Sequence, residues 1–233
     1  MKSVNKFRLN IRIRFKLISI KKYNNKLKKD WDAFVFDSKY GTIFHRQKFL
    51  SYHLDKHFND FSLMFYQKNT LVAVLPACLG VDDKKTVVTS HSGASFGGFV
   101  VSVSCFELYE KILSAFEKHC QKNKIKKIKI IPTPSYYSNM ADDLFDYTSS
   151  LYNYKIAEKY ISHVVHLKNK SALSYFNQRK KRYLNNYLIN NQNLKIKKTV
   201  DFEGFYGLLK TSKKQFKATP THSLVELKKL KKL

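Results

Sequence analysis

The feature that most constrains this chain is a glycine-rich stretch from Ser90 to Val101, SHSGASFGGFVV. It holds three of the chain's seven glycines within six residues, namely Gly93, Gly97 and Gly98. Glycine lets a backbone turn sharply, approach another segment closely and present N–H groups to an oxyanion. The stretch matches neither the phosphate-binding G-x-x-x-x-G-K-[ST] loop nor the dinucleotide-binding G-x-G-x-x-G turn. Two interpretations stay open: a tight loop between buried strands, or one wall of a substrate cleft.

The hydrophobic pattern predicts a mixed α/β fold. A period of two indicates strands and a period between three and four indicates helices. We expect strands at 10–20, 61–67, 69–79, 86–89, 124–131, 160–167 and 194–198. We expect helices at 26–37, 45–57, 105–123, 142–154, 171–191 and 202–216, and another after Ser223. Antiparallel strands followed by a β–α–β crossover are typical of an α+β mixed sheet.

The net charge of the chain is extreme, at +27, but only six of its 44 basic residues are arginine. One explanation is a polyanionic partner, such as nucleic acid, an anionic membrane surface or a phosphorylated substrate. The other is a composition typical of AT-rich genomes, because Lys, Asn, Ile, Tyr and Phe are all abundant and lysines occur in every segment. How much of the charge serves a function stays open at this point.

Cysteine usage and hydropathy indicate the cellular compartment in which the protein is expected. Cys78, Cys105 and Cys120 form no C-x-x-C pair, which favours a reducing compartment over a disulfide framework or a zinc site. No apolar run is long enough for a transmembrane helix, and charges interrupt the N-terminal region where a signal peptide needs an apolar core. We expect a cytoplasmic protein, either free or peripheral to the inner face of the membrane.

Eight segments carry a pattern in a fixed order. They are 31–53 (WDAFVFDSKYGTIFHRQKFLSYH), 58–65 (FNDFSLMF), 71–77 (LVAVLPA), the glycine-rich stretch, 128–137 (IKIIPTPSYY), 142–155 (DDLFDYTSSLYNYK), the helix that contains 179–182 (RKKR) and 217–233 (KATPTHSLVELKKLKKL). Together they resemble the Fem-type (FemAB-like) branch of the GNAT acyltransferase superfamily, and the resemblance covers nearly all of the chain.

The resemblance implies two GNAT-like domains, the first at 8–167. Residues 168–233 would then be a linker helix and the opening part of a second domain. Because the sequence ends on an uncapped apolar helix, we expect it to be truncated inside that domain, with a short natural C-terminal helix as the alternative. Whether such a truncated chain is active stays open.

The resemblance also implies a reaction: N-acyl or aminoacyl transfer to an amine of a cell-envelope glycan or peptidoglycan-type precursor. Acyl-CoA or aminoacyl-tRNA would be the donor substrate, and a phosphorylated or nucleotide-linked sugar or peptide precursor the acceptor. The phosphate contacts would come from Arg179, Lys181 and Arg182. The acetyl-CoA signature [QR]-x-x-G-x-[GA] does not occur, so we expect no cofactor bound within these residues.

Acyl transfer needs a positioned amine, a proton acceptor and donors for the oxyanion. Beside the glycine-rich stretch, His91 is the candidate catalytic residue, with a structural histidine as the alternative. The candidate substrate-binding residues are His45, Arg46, His53, Ser92, Gly93, Ser95, Gly97 and Gly98. We expect no metal site, because His53 and His57 have no Glu between them as in H-E-x-x-H and no evident third ligand.

Two rival interpretations remain. Charge, aromatic content and the RKKR segment also fit a basic RNA- or nucleic-acid-binding protein without catalytic activity. A non-catalytic remnant of a longer enzyme is the other.

Overall fold

The computed structural model describes residues 17–53, 58–80, 86–137, 143–164, 171–191 and 199–232. The strands are β1 (Ile18–Lys22), β2 (Asn59–Asp60), β3 (Leu63–Gln67), β4 (Thr70–Leu75), β5 (Cys78–Leu79), β6 (Val87–Ser90), β7 (Val100–Val101) and β8 (Lys127–Ile130). The helices are α1 (Lys28–Asp37), α2 (Gln47–Leu50), α3 (Phe106–Lys122), α4 (Leu144–Leu151), α5 (Gln178–Asn190), α6 (Phe202–Lys214) and α7 (Leu224–Leu230). Short 3-10 turns occur at Asn25–Leu27, Ile43–His45, Ser135–Tyr137 and Ala172–Tyr175.

The described strands form two four-stranded sheets. The first is antiparallel, in the order β1-β3-β4-β7, and the second has the order β2-β5-β6-β8 with β6 and β8 parallel. Pro76 lies between β4 and β5, where the chain leaves the first sheet for the second. The mixed α/β class, the hairpin of β3 and β4 and the crossover through α3 are therefore confirmed.

The first sheet buries both of its faces because side chains alternate along each strand. On one face, Leu63 and Phe65 pack in a cluster with Ile112 and Phe116 of α3. On the other face, Met64, Val74 and Val100 pack against Trp31 and Val35 of α1. Strands buried on both sides read as nearly continuous apolar runs, which is how β3 and β4 appear in the sequence.

Two predicted elements are wrong in their described parts. The helix expected at 45–57 is limited to α2, because His45 belongs to a separate 3-10 turn and the Asp32 carboxylate accepts a hydrogen bond from the Gln47 N–H at 2.8 Å, starting a new helix there. His57 and its neighbours at 54–56 lie outside the described residues. The strand expected at 160–167 is irregular and exposed over 160–164, and 165–167 lie outside the described residues.

Other predicted elements lie partly or wholly beyond the described ranges. Of the N-terminal strand at 10–20, only the end is described, as part of β1, and the strand expected at 194–198 is outside them. The helix expected at 171–191 is interrupted: a 3-10 turn at Ala172–Tyr175 precedes α5, which starts at Gln178 because the Asn177 side chain caps it by accepting from the Lys180 N–H at 2.9 Å. The structure places the other helices within a few residues of their expected positions.

Contacts divide the chain into two compact units. One comprises Met1–Tyr154 together with Thr221–Leu233, and the other is Lys155–Pro220. The division expected after residue 167 thus differs from the contact-based one, since the C-terminal segment contacts the first unit. Among the described residues of Lys155–Pro220 none is buried. Of the helices in the described ranges, none has the length and apolar character required to cross a bilayer.

Candidate functional site

Two histidines hold the glycine-rich stretch in place. The His45 Nε2–H donates to the Gly97 carbonyl at 2.9 Å, and the His53 Nε2–H donates to the Gly93 carbonyl at 2.6 Å. The Gly97 N–H donates to the Ile131 carbonyl at 2.9 Å, in the chain just after β8. The N–H groups of Gly93 and Gly97 are thus both engaged within the protein, since the former bonds His91. This arrangement favours a fixed loop over an oxyanion cradle at these two positions.

Close approach explains why two of these positions are glycine. A Cβ at Gly93 would lie 2.9 Å from the His53 ring and from the Phe58 ring. Gly98 has a φ of +87°, and a Cβ there would lie 3.1 Å from the Pro132 Cα. Both sites therefore require a residue without a side chain.

His45 is fully buried, and both of its ring nitrogens are bonded within the protein. Its Nδ1 accepts from the Thr42 N–H at 3.1 Å, while Nε2–H donates to the Gly97 carbonyl. Burial lowers the pKa of His45 to about 4, so the ring is neutral at neutral pH. The structure gives this predicted substrate-binding residue a role in positioning the loop.

A cavity of about 480 Å³ lies beside this loop. Its walls are formed by Tyr23, Asn24, Asn25, Lys28, Gln47, Leu50, Ser51, His53, Phe58, Asp60 and His91. Of the predicted site residues, the structure brings His53 and His91 together here. Another cavity, of about 550 Å³, lies along β1 and α3, and none of the predicted site residues is part of its wall in the described chain.

The orientation of His91 defines its chemistry. The Gly93 N–H donates to His91 Nδ1 at 2.9 Å, which places the ring proton on Nε2. Burial lowers the pKa of His91 to about 4, and the neighbouring His53 adds to the shift. His91 is therefore a neutral hydrogen-bond donor at neutral pH, with no free lone pair to act as a base.

Two further cavity residues were missed by the sequence analysis. Asp60, on β2, accepts from the Ser62 N–H at 3.2 Å, and burial raises the pKa of its carboxyl group. Gln47, at the start of α2, has a buried amide nitrogen without a hydrogen-bond partner among the described residues. Neither residue occurs in a recognisable motif, so only their position in the fold identifies them.

The other predicted residues lie elsewhere. The Arg46 guanidinium stacks over the Phe36 ring at 6.0 Å. Ser92 is exposed and accepts from the Cys78 thiol at 3.3 Å, and Ser95 is exposed. The cations predicted to hold phosphate are all exposed and belong to α5, in the Lys155–Pro220 unit: Arg179, Lys181 and Arg182.

Comparison with models of protein families, with curated proteins and with solved structures found no match to this chain.

A cluster behind His53 joins residues far apart in the sequence. His53, His222 and Glu226 each offer one ligand atom, and these atoms lie within 4.8 Å of one another. Glu226 is 1% exposed. The sequence spacing of His53 and His57 gave no third ligand, because the residues that contact His53 come from the other end of the chain.

Proposed function

We propose that this chain is an acyltransferase of the Fem/GNAT type, which moves an acyl or aminoacyl group onto an amine of a cell-envelope glycan or peptidoglycan-type precursor. The observation that carries the proposal is the cavity wall, which combines two hydrogen-bond donors with a half-buried carboxylate. The donors are the His91 Nε2–H and the Gln47 amide, and the carboxylate is Asp60. The ordered resemblance of eight sequence segments supports the same reaction class.

The proposed step uses these groups in distinct roles. The acceptor amine attacks the carbonyl carbon of the donor, forming a C–N bond and a tetrahedral oxyanion. The donors on His91 and Gln47 stabilise that oxyanion. Asp60 accepts the amine proton, and its raised pKa makes it a better base than an exposed aspartate. The oxyanion then collapses and the C–S or C–O bond to CoA or tRNA breaks, and the leaving group takes the proton that Asp60 had accepted, which regenerates the carboxylate.

The experiment is a transfer assay on the full chain. The purified protein is incubated with acyl-CoA or aminoacyl-tRNA and with nucleotide-linked amino sugars or peptidoglycan-type precursors. Mass spectrometry reads the added acyl mass on the acceptor. We expect Asp60→Asn to lower kcat by about 10²–10⁴-fold because the proton acceptor is lost.

Asp37→Asn is the matched control, because it makes the same chemical change at an exposed position at the end of α1. Its activity should equal that of the wild type. The proposal fails if no donor and acceptor pair gives transfer, or if the two variants lose the same activity.

A second candidate function is RNA binding. It is favoured by the run of four exposed cations on α5, Arg179–Arg182. Binding of tRNA-sized RNA that weakens steeply with salt, in a protein without transfer activity, would support this function in place of catalysis. Replacing Arg179 and Arg182 with Ala should then reduce the salt dependence.

A further inference from the structure

Three buried polar atoms meet behind the cavity without hydrogen-bond partners among the described residues. They are His53 Nδ1, His222 Nδ1 and Glu226 Oε1. His53 Nδ1 lies 3.6 Å from Glu226 Oε1, and His222 Nδ1 lies 3.7 Å from Glu226 Oε2. Buried polar atoms nearly always have a hydrogen-bond partner, so three atoms without one in the same place require a physical explanation.

The hydrogen bonds around the cluster show what is missing between these atoms. His53 Nε2–H donates to the Gly93 carbonyl, so the neutral ring presents a lone pair at Nδ1. That lone pair faces the Glu226 carboxylate, whose other oxygen accepts from the Ser223 N–H at 3.0 Å. Two acceptors cannot satisfy each other, and a buried carboxylate without compensation is costly. A positive group between them would satisfy both.

The distances between the histidine nitrogens and the Glu226 oxygens suit a bound metal ion better than a shared proton. Hydrogen bonds between N and O span about 2.7–3.2 Å, so 3.6 and 3.7 Å are too long. Ligand atoms bound at 2.0–2.2 Å to a tetrahedral metal ion lie about 3.3–3.6 Å apart. With all three ligand atoms within 4.8 Å, closing onto an ion requires a side-chain movement on the order of an ångström. The His222 side chain is 30% exposed, against 3% for His53 and 1% for Glu226, and would make most of this movement.

We propose that His53, His222 and Glu226 form a binding site for a divalent transition-metal ion, with Zn²⁺ as the ion that suits two imidazole nitrogens and one carboxylate oxygen. Water would take the fourth position. The hydrogen bond from His53 to the Gly93 carbonyl is the kind of contact that orients a metal-binding histidine.

The site has a structural consequence. α7 contacts the rest of its unit through Leu230, which packs on the cluster of Phe49, Leu50 and Tyr52, and through Lys229, whose Nζ donates to the Ser51 carbonyl. A metal ion held by His53 on one side and by His222 and Glu226 on the other would tie this C-terminal segment to the glycine-rich loop. Metal binding would thereby stabilise the folded chain.

Metal titration of the full chain tests the site. The protein is treated with a chelator, dialysed, and titrated with Zn²⁺ by calorimetry and with Co²⁺ by visible absorption. We expect one ion per chain, the intense absorption of tetrahedral Co²⁺, and a rise in Tm with Zn²⁺. Glu226→Gln and His222→Gln should each weaken binding roughly 100-fold and abolish the rise in Tm.

His119→Gln is the matched control, since it removes a partly buried histidine of α3 outside the cluster and should bind as the wild type does. Circular dichroism confirms that each variant is folded. Equal affinity of all variants, or the absence of stoichiometric binding to the wild type, overturns the proposal. So does ¹⁵N NMR that finds both His53 nitrogens protonated with Zn²⁺ present, because the cation is then the imidazolium.

Discussion

At the scale of single residues, Gly93 is the position on which the glycine-rich loop depends. Its carbonyl accepts from His53, its N–H donates to His91, and a Cβ there would lie 2.9 Å from the His53 ring. We expect Gly93→Ala to reduce the free energy of unfolding by about 1–3 kcal/mol, because the ring and the loop must separate. Urea denaturation followed by tryptophan fluorescence measures the change, since Trp31 is buried in the same unit.

The chain offers a matched control in Gly207, within α6. A Cβ there meets nothing within 4 Å, so Gly207→Ala should leave the Trp31 transition unchanged and increase helicity. If Gly93→Ala is as stable as the wild type, the loop is not held in the way described.

The residues around this loop show which parts of the site the sequence can predict. The sequence analysis singled out His91 because of its place beside the glycines, and the structure puts it in the cavity wall. It missed Asp60 and Glu226, whose neighbours in space are distant in the chain. The chemical role of a carboxylate depends on its burial and on the groups that face it, and a local sequence motif shows neither.

At the scale of elements, local patterning was sufficient where one helix face packs against one sheet. α3 has a complete apolar face and was predicted to within a residue at each end. The failure at 45–57 arose because Asp32 of α1 starts α2 from outside, and because His45 makes tertiary bonds that a continuous helix would break. Periodicity cannot detect a cap supplied by another element.

The two ends of α3 provide a test at this scale. Cys105 is the partly exposed N-cap, whereas Cys120 lies in the last turn and is 2% exposed. Burial raises the pKa of Cys120 to about 12, with a contribution from Glu117, and only the thiolate reacts. We expect iodoacetamide at pH 8 to alkylate Cys105 at least about ten times faster than Cys120 in the native protein.

Peptide mass spectrometry over time gives the two rates within one sample. Denaturation in urea serves as the control, because both thiols should then react alike. Similar native rates would mean that the core face of α3 opens easily.

At the scale of the whole molecule, the two compact units differ in what they bury. The unit containing the sheets has an extensive apolar core, while the described residues of Lys155–Pro220 contain no buried side chain. A helix in water draws little stability from propensity alone and needs an apolar face packed against a partner. The described side chains of α5 and α6 lack such packing, although Tyr183, Tyr187 and Phe205 are large and exposed.

Hydrogen exchange should therefore separate the units along one chain. We expect the amides of α3 to exchange on the order of minutes to hours, and those of α5 and α6 to exchange much faster, because helices without buried contacts open locally at low free energy. Exchange followed by mass spectrometry resolves the three helices as separate peptides. Slow exchange in α5, equal to that in α3, would show that its exposed aromatic face is covered in solution.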